Sequence, residues 1–208
     1  DWRAESVRVF PDGVVFKAEG AMTGEYRLRL LGRHQVINAL LAMAVATELG
    51  VPEETVRAGL AECRPPPRRL QLSEVKGVRI LDDAYNANAD SVNVSLGVLA
   101  DLPCEGRRIV VLGSMAELGE GTSAAHEEAG QSAAVLGIDV LMAVGEEAET
   151  TVDAARSAGL EDAAVFVDNV AAGETLCECV QPGDVVLLKG SRAARLEEVG
   201  EYLRNKKT

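Results

Sequence analysis

Residues 7–18 read VRVFPDGVVFKA, with Val7 and Val9, then Val14, Phe16 and Ala18, alternating around Pro11-Asp12-Gly13. A period of two interrupted by turn residues predicts a β-hairpin. Tyr26, Leu28 and Leu30 continue the alternation in another short strand. From Gln35 the period lengthens. Val36, Ile37, Leu40, Leu41, Ala44, Val45 and Leu49 fall on one helical face, and Gly50 ends that helix. Pro52 opens a shorter helix with Val56 and Leu60 inward. Pro65-Pro66-Pro67 is excluded from any helix interior and marks a boundary between domains 1–64 and 65–208.

Beyond the prolines the pattern repeats strand, then helix. Strands are predicted at Val78–Leu81, Ile109–Leu112, Val140–Val144, Ala164–Val167 and Val185–Leu188. The helices between and after them are expected after Ser91 (its cap) and over 122–136, 147–158, 169–179 and 191–204. Solid apolar runs such as Ile109–Leu112 mark strands covered on both faces. The alternation implies an α/β fold with a parallel, doubly wound sheet. Ligands of such sheets meet the loops at the carboxyl ends of the strands. Those loops are Asp82–Asp90, Gly113–Gly121, Gly145–Glu147, Asp168–Asn169 and Lys189–Arg192.

Composition narrows the function classes. With 208 residues the chain can bury a real core without staples, and with only 3% aromatics that core is aliphatic. A net charge of −12 argues against a nucleic-acid-wrapping surface but leaves room for a local basic pocket. Cys63, Cys104, Cys177 and Cys179 lack the spacing of a zinc cluster and read as reduced thiols. Neither a signal peptide nor an apolar run of ~18 residues is present, so the expected location is cytoplasmic, without membrane insertion. The chain opens on Asp1-Trp2 rather than Met, as a processed protein or a piece of a longer one does.

Three loops carry candidate chemistry. Asp82–Ser91 is dense in carboxylates and amides; a carboxylate at such a strand end can accept ribose hydroxyls, although the segment also reads as an Asx-rich turn plus a helix cap. Lys189-Gly190-Ser191-Arg192 joins a cap residue and two bases, an anion site or a capped helix with exposed charges. Gly113–Glu120 lacks the dinucleotide fingerprint, and His126 in the following helix reads as structural or exposed rather than catalytic. Arg68 and Arg69 at the junction suit a nucleotide or are ordinary linker charge. No Gly-x-x-x-x-Gly-Lys-Ser/Thr loop is present.

Several of these stretches together resemble the Mur ligase family. Gly32–Leu40 resembles its Gly-x-His-Asn-x-x-Asn-Ala helix start, and Pro67-Arg68-Arg69-Leu70 its Pro-Gly-Arg hinge. Asp82–Ser91 resembles the Asp-Asp-Ser-Tyr-Asn-Ala-Asn-Pro-Asp-Ser signature of one branch. Gly113–Gly119 and Lys189–Glu197 resemble Gly-Asp-Met-x-Glu-Leu-Gly and Lys-Gly-Ser-Arg-x-x-x-Leu-Glu. The resemblance implies an ATP- and Mg²⁺-dependent ligase of peptidoglycan precursor synthesis. In this branch D-alanyl-D-alanine is joined to UDP-MurNAc-tripeptide through an acyl phosphate. It also implies a Rossmann-like, mostly parallel sheet with flanking helices, preceded by a partial central ATPase domain of short strands plus helices.

By position, the resemblance gives Asp83 the ATP ribose, Arg69 the ribose and phosphates, and Gln35 the adenine. It sets Asn86, Asn88, Lys189, Ser191 and Arg192 on the carboxy-terminal domain's side of the cleft, positioning the amine or the intermediate. No metal ligand is assigned, because the family's phosphate loop and magnesium ligands precede this segment. The UDP-sugar domain precedes it too, and the 208 residues alone are expected to be inactive. Ala89, Ser114 and Gln35 depart from the family's Pro, Asp and Asn. Two other readings stand beside this one: a non-catalytic Rossmann-like docking domain, and a Mur-type ligase with a different amine.

Overall fold

In a computed structural model describing residues 1–205, the chain divides into two compact units, Asp1–Pro65 and Pro66 onward. The division falls inside the triple proline.

In the first unit β1 (Arg3–Phe10), β2 (Gly13–Glu19) and β3 (Gly24–Leu28) form an antiparallel meander. The predicted hairpin closes through Pro11-Asp12. Gly13 there has φ of 145°, and a Cβ would sit 2.1 Å from the Leu28 carbonyl oxygen. Val14, Phe16, Ala18, Tyr26 and Leu28 pack against α1 (Gln35–Glu48) and α2 (Glu53–Glu62). Tyr26 is buried and donates to Glu53 Oε1 at 2.8 Å; burial, then that bond, pushes its hydroxyl up to about 12.

The face expected of α1 is only partly the buried one. Val36, Ala39 and Met43 turn into the core. Ile37, Leu41, Val45 and Leu49 are 64%, 62%, 60% and 75% exposed. These four recur at a spacing of four and form one apolar stripe beside the buried one. A helix apolar on so much of its circumference is built to be covered on two sides.

The second unit holds a six-stranded sheet in the order β4-β5-β9-β6-β7-β8. Its strands are β4 (Gln71–Val75), β5 (Val78–Asp83), β6 (Arg108–Gly113), β7 (Val140–Val144), β8 (Ala163–Phe166) and β9 (Val185–Lys189). All neighbours pair in parallel except β4 and β5. The Rossmann-like, mostly parallel architecture is therefore as expected. β4 was not foreseen: it turns back on β5 through Lys76-Gly77, with φ of 52° and 79°, the backbone of a two-residue hairpin.

The helices α3 (Ala89–Asp101), α4 (Thr122–Val135) and α5 (Ala148–Ser157) pack against one another in chain order. α6 (Asn169–Cys179) and α7 (Glu197–Asn205) lie together on the face of Ile80, Val111, Met142, Val186 and Leu188. Right-handed crossovers require this division: the chain steps from β5 outward to β8, then returns through α6 to insert β9 between β5 and β6. That insertion is a topological switch point, where the carboxyl ends of β5, β9 and β6 adjoin.

The helix predicted over 191–204 is broken. A 3₁₀ turn spans Arg192–Ala194, Arg195 is left-handed at φ 50°, and α7 begins at Glu197. Packing explains the break. Ala194 and Leu196 press onto Gly113 and Gly190, where a Cβ would come within 2.8 Å of Ala194 and 3.0 Å of Leu196.

Candidate functional site at the switch point

β5 ends in Asp83 and β9 in Lys189, and the two residues are paired in register. A lysine ending a central strand inside the sheet needs a counter-charge, because an unpaired buried ammonium is costly. Lys189 is 3% exposed; its Nζ lies 2.6 Å from Asp83 Oδ2 and donates to the Asn86 carbonyl at 2.9 Å. Ser95 Oγ donates to the same Asp83 oxygen at 2.5 Å, and the Leu70 N–H to the other at 3.0 Å. Three donors thus meet one carboxylate. Lys189, expected beside Arg192 in an anion site, is instead turned inward. Asp83 stands at the expected strand end, with its carboxylate engaged by Leu70, Ser95 and Lys189. Ser95 carried no signal in the sequence, since its partner is twelve residues away across a loop.

Asp82 points to the opposite face, as strand geometry requires. It is buried, accepts from the Ala84 N–H at 3.2 Å and lies 3.7 Å from Arg204. Burial raises its pKa above the ordinary carboxylate value.

The loop after β5 divides its labour. Asn88, rather than Ser91, is the cap of α3: its Oδ1 accepts from the Ser91 N–H at 2.9 Å. The Ser91 hydroxyl answers by accepting from the Asn88 N–H at 3.0 Å, completing a capping box. Asn86 gives its carbonyl to Lys189 and keeps an exposed side chain. Ser191 makes no side-chain cap bond; it is buried, and its N–H donates to the Ser114 carbonyl at 3.1 Å, joining the β9 and β6 loops. His126 is buried, accepts from the Met115 N–H at Nε2 (3.1 Å) and faces the Thr122 carbonyl with Nδ1 (2.8 Å). These partners assign the proton to Nδ1 and a structural role to the ring, pinning the loop after β6.

Beside this network Pro66, Pro67, Arg68, Arg69, Tyr85 and Arg192 line a groove of about 600 Å³. The Arg69 guanidinium lies 4.4 Å above the Tyr85 ring, a cation–π arrangement. Arg68 and Leu70 both have positive φ, 59° and 50°. That strained backbone is held by the Tyr85 N–H on the Arg68 carbonyl and by Asp83 on the Leu70 N–H. Arg68 and Arg192 both reach Glu197 Oε1, at 2.8 and 3.5 Å. The sequence brought Glu197 into view only as the end of a motif.

Gln35 belongs to the first unit, at the first position of α1, where its side chain accepts from Asn38 at 3.0 Å. The groove's guanidinium groups suit phosphate or carboxylate oxygens. Among the described residues no group of three or more His, Cys, Asp or Glu side chains is placed to hold a metal ion. No helix among them is long and apolar enough to cross a membrane.

Comparison with known proteins covers the region that holds this groove. A family model described as Mur ligase, glutamate ligase domain, matches residues 68–192. The UDP-N-acetylmuramoyl-tripeptide–D-alanyl-D-alanine ligase of Escherichia coli K12 is 35% identical over the whole of this chain and 45% of its own length. The enzyme of the same name from Mycobacterium tuberculosis CDC 1551 is 42% identical over 86% of this chain and 39% of its own. The chain spans less than half the length of these curated relatives. Among solved structures, MurF from Acinetobacter baumannii superposes with a TM-score of 0.87 at 28% identity, over 98% of this chain and 44% of that one. MurF from Thermotoga maritima, in complex with ADP, gives 0.80 at 27% identity, over 98% and 46%. With the family model covering the switch-point loops from Arg68 to Arg192, the chain belongs to the Mur ligase family.

Proposed function

We propose that this chain is the carboxy-terminal portion of an ATP-dependent carboxylate–amine ligase that adds D-alanyl-D-alanine to UDP-MurNAc-tripeptide in cytoplasmic peptidoglycan precursor synthesis. The observation that carries the reading is the arginine groove at the switch point, built from the hinge-like and Lys-Gly-Ser-Arg segments of the family pattern. In this reading ATP activates the tripeptide carboxylate as an acyl phosphate, because a free carboxylate is a poor electrophile. The amine then attacks and phosphate leaves. Cationic donors stabilise charge on the reacting oxygens. Arg69, stacked on Tyr85, faces ribose and phosphates. Asp83 acts through its neighbours, fixing Leu70 at the hinge and Lys189 under the Asn86 loop. Asn86 and Arg192 meet the amine substrate, Asn88 and Ser191 hold the loops that present them, and Gln35 takes the adenine. Mg²⁺ ligands are assigned to the portion of the enzyme that the relatives have and this chain does not span.

Residues 1–64 are read as the closing piece of the central ATPase domain. The uncovered Ile37–Leu49 stripe supports this, since it is the face a further layer of that domain would bury. The same stripe disfavours a self-sufficient docking module. Phosphate release in the presence of ATP, UDP-MurNAc-tripeptide and D-alanyl-D-alanine tests the reading. The 208 residues alone are expected to give none, and a polypeptide extended to the relatives' length to turn over only with both substrates. Turnover by the 208-residue chain, or preference of the extended enzyme for a single amino acid over the dipeptide, would overturn it.

A further inference from the structure

Glu197 opens α7 and is 9% exposed. Its Oε1 takes both Arg68 and Arg192, while its Oε2 is buried and lacks a hydrogen-bond partner among the described residues. A buried carboxylate oxygen without a donor is a cost to the fold. A helix-start acid needs no such burial, because the helix dipole favours it equally well at the surface. The arrangement is accounted for by what Oε1 does. It gathers two guanidinium groups from opposite ends of the unit, one from the segment before β4 and one from the loop after β9. Both line the groove, whose third cation, Arg69, is stacked on Tyr85.

Like charges crowded around one groove repel and spread unless an anion sits between them. Each guanidinium has five N–H donors and directs one at Glu197. The Arg192 side chain is 65% exposed and that of Arg68 33%, so most of their donors stay available. Two adjacent guanidinium groups on a fixed pivot match the paired oxygens of a carboxylate or a phosphate.

We propose that Glu197 is a positioning residue: it does not touch the ligand, but holds Arg68 and Arg192 together as a clamp for an oxyanion. The inference rests on the ligase reading, in which this groove meets the reacting groups. The oxyanion's source, phosphate chain or dipeptide carboxylate, is separated by the arms of the test.

The arginine Nε–H signals of the 208-residue chain would be followed by NMR during titration with tripolyphosphate in one arm and D-alanyl-D-alanine in the other. Amide spectra and thermal melts would be recorded for every variant. The expected result is saturable binding in one arm that moves Arg68 and Arg192 together. Glu197→Gln should weaken that binding about tenfold. Glu197→Asp, which keeps the charge on a stem one methylene shorter, should not restore it. Should the Glu197 variants fail to fold, Arg68→Gln and Arg192→Gln carry the same test, since a clamp predicts that either alone loses as much as both. Undiminished binding by folded Glu197→Gln, or additive losses from the two arginine variants, overturns the clamp and leaves the ligase reading standing. Binding of neither probe by the wild-type chain overturns the clamp, and turnover of the extended enzyme then judges the ligase reading separately.

Discussion

Replacing Lys189 by Met removes one charge from a pair that the sheet encloses, leaving a side chain of similar length. Asp83 then keeps the Leu70 N–H and the Ser95 hydroxyl but loses its ammonium, and the Asn86 carbonyl loses its donor. Breaking one side of a buried pair costs about 3–5 kcal/mol, mostly from the charge left behind. The two remaining donors place the loss near the lower end, about 3 kcal/mol. Removing both charges, in Asp83→Asn/Lys189→Met, is a different perturbation. Asparagine still accepts from Leu70, no ion is stranded, and stability should return to within about 1 kcal/mol of wild type. The two substitutions would thus couple by about 2 kcal/mol or more. Urea unfolding followed by circular dichroism measures this. With an m value of about 2 kcal/mol/M, the single variant's midpoint falls by about 1.5 M and the double variant's largely recovers. A double variant no more stable than Lys189→Met would refute the argument that the stranded carboxylate carries the cost.

Two further predictions concern acids at opposite ends of the sheet. Burial raises the pKa of Asp82, so the folded state holds that proton more tightly than the unfolded chain, and its contribution is lost as pH rises through the folded value. Asp82→Asn should therefore raise the melting temperature at pH 7 and leave it unchanged well below pH 4; a lower melting temperature at pH 7 would contradict this. At the amino ends of the strands Asp184 accepts from the Arg107 N–H at 2.8 Å, the Arg107 guanidinium at 2.9 Å and the Gln181 N–H at 2.9 Å. Burial opposes its charge, but these donors outweigh it and hold its pKa below the ordinary value. Its stabilisation is present above the unfolded carboxylate pKa and lost as pH falls through the folded one. Asp184→Ala should cost about 3 kcal/mol at pH 7, with the gap to wild type closing on acidification; a gap independent of pH would count against it.

The strands β6, β7 and β9 were legible because parallel strands covered on both faces read as unbroken apolar runs, a purely local signal, and β5 and the edge strand β8 as shorter apolar stretches in the same alternation with helices. So were the loops at their carboxyl ends, which hold Asp83 and Arg192, and the proline-rich junction that holds Arg69. What escaped depends on distant partners. The inward turn of Lys189 is decided by an acid 106 positions away. Arg195 turns left-handed because Leu196 must reach Gly113 and Gly190, not because of its own side chain. β4 is half polar, as an edge strand can be, and only Lys76-Gly77 hinted at its hairpin. The exposure of the α1 stripe escaped because helical periodicity cannot tell which of two apolar faces meets the core.

The strand order also imposes a schedule on synthesis. β9 lies in the middle of the sheet but is the last of its described strands to be made. Until residue 189 has left the ribosome, β5 and β6 each present an open hydrogen-bonding edge to whatever is near. Unpaired edges of this kind recruit other chains. A premature stop before Val185 would therefore take out the keel of the sheet rather than trim its margin. Such a product should be found in the insoluble fraction, not as a shorter working domain.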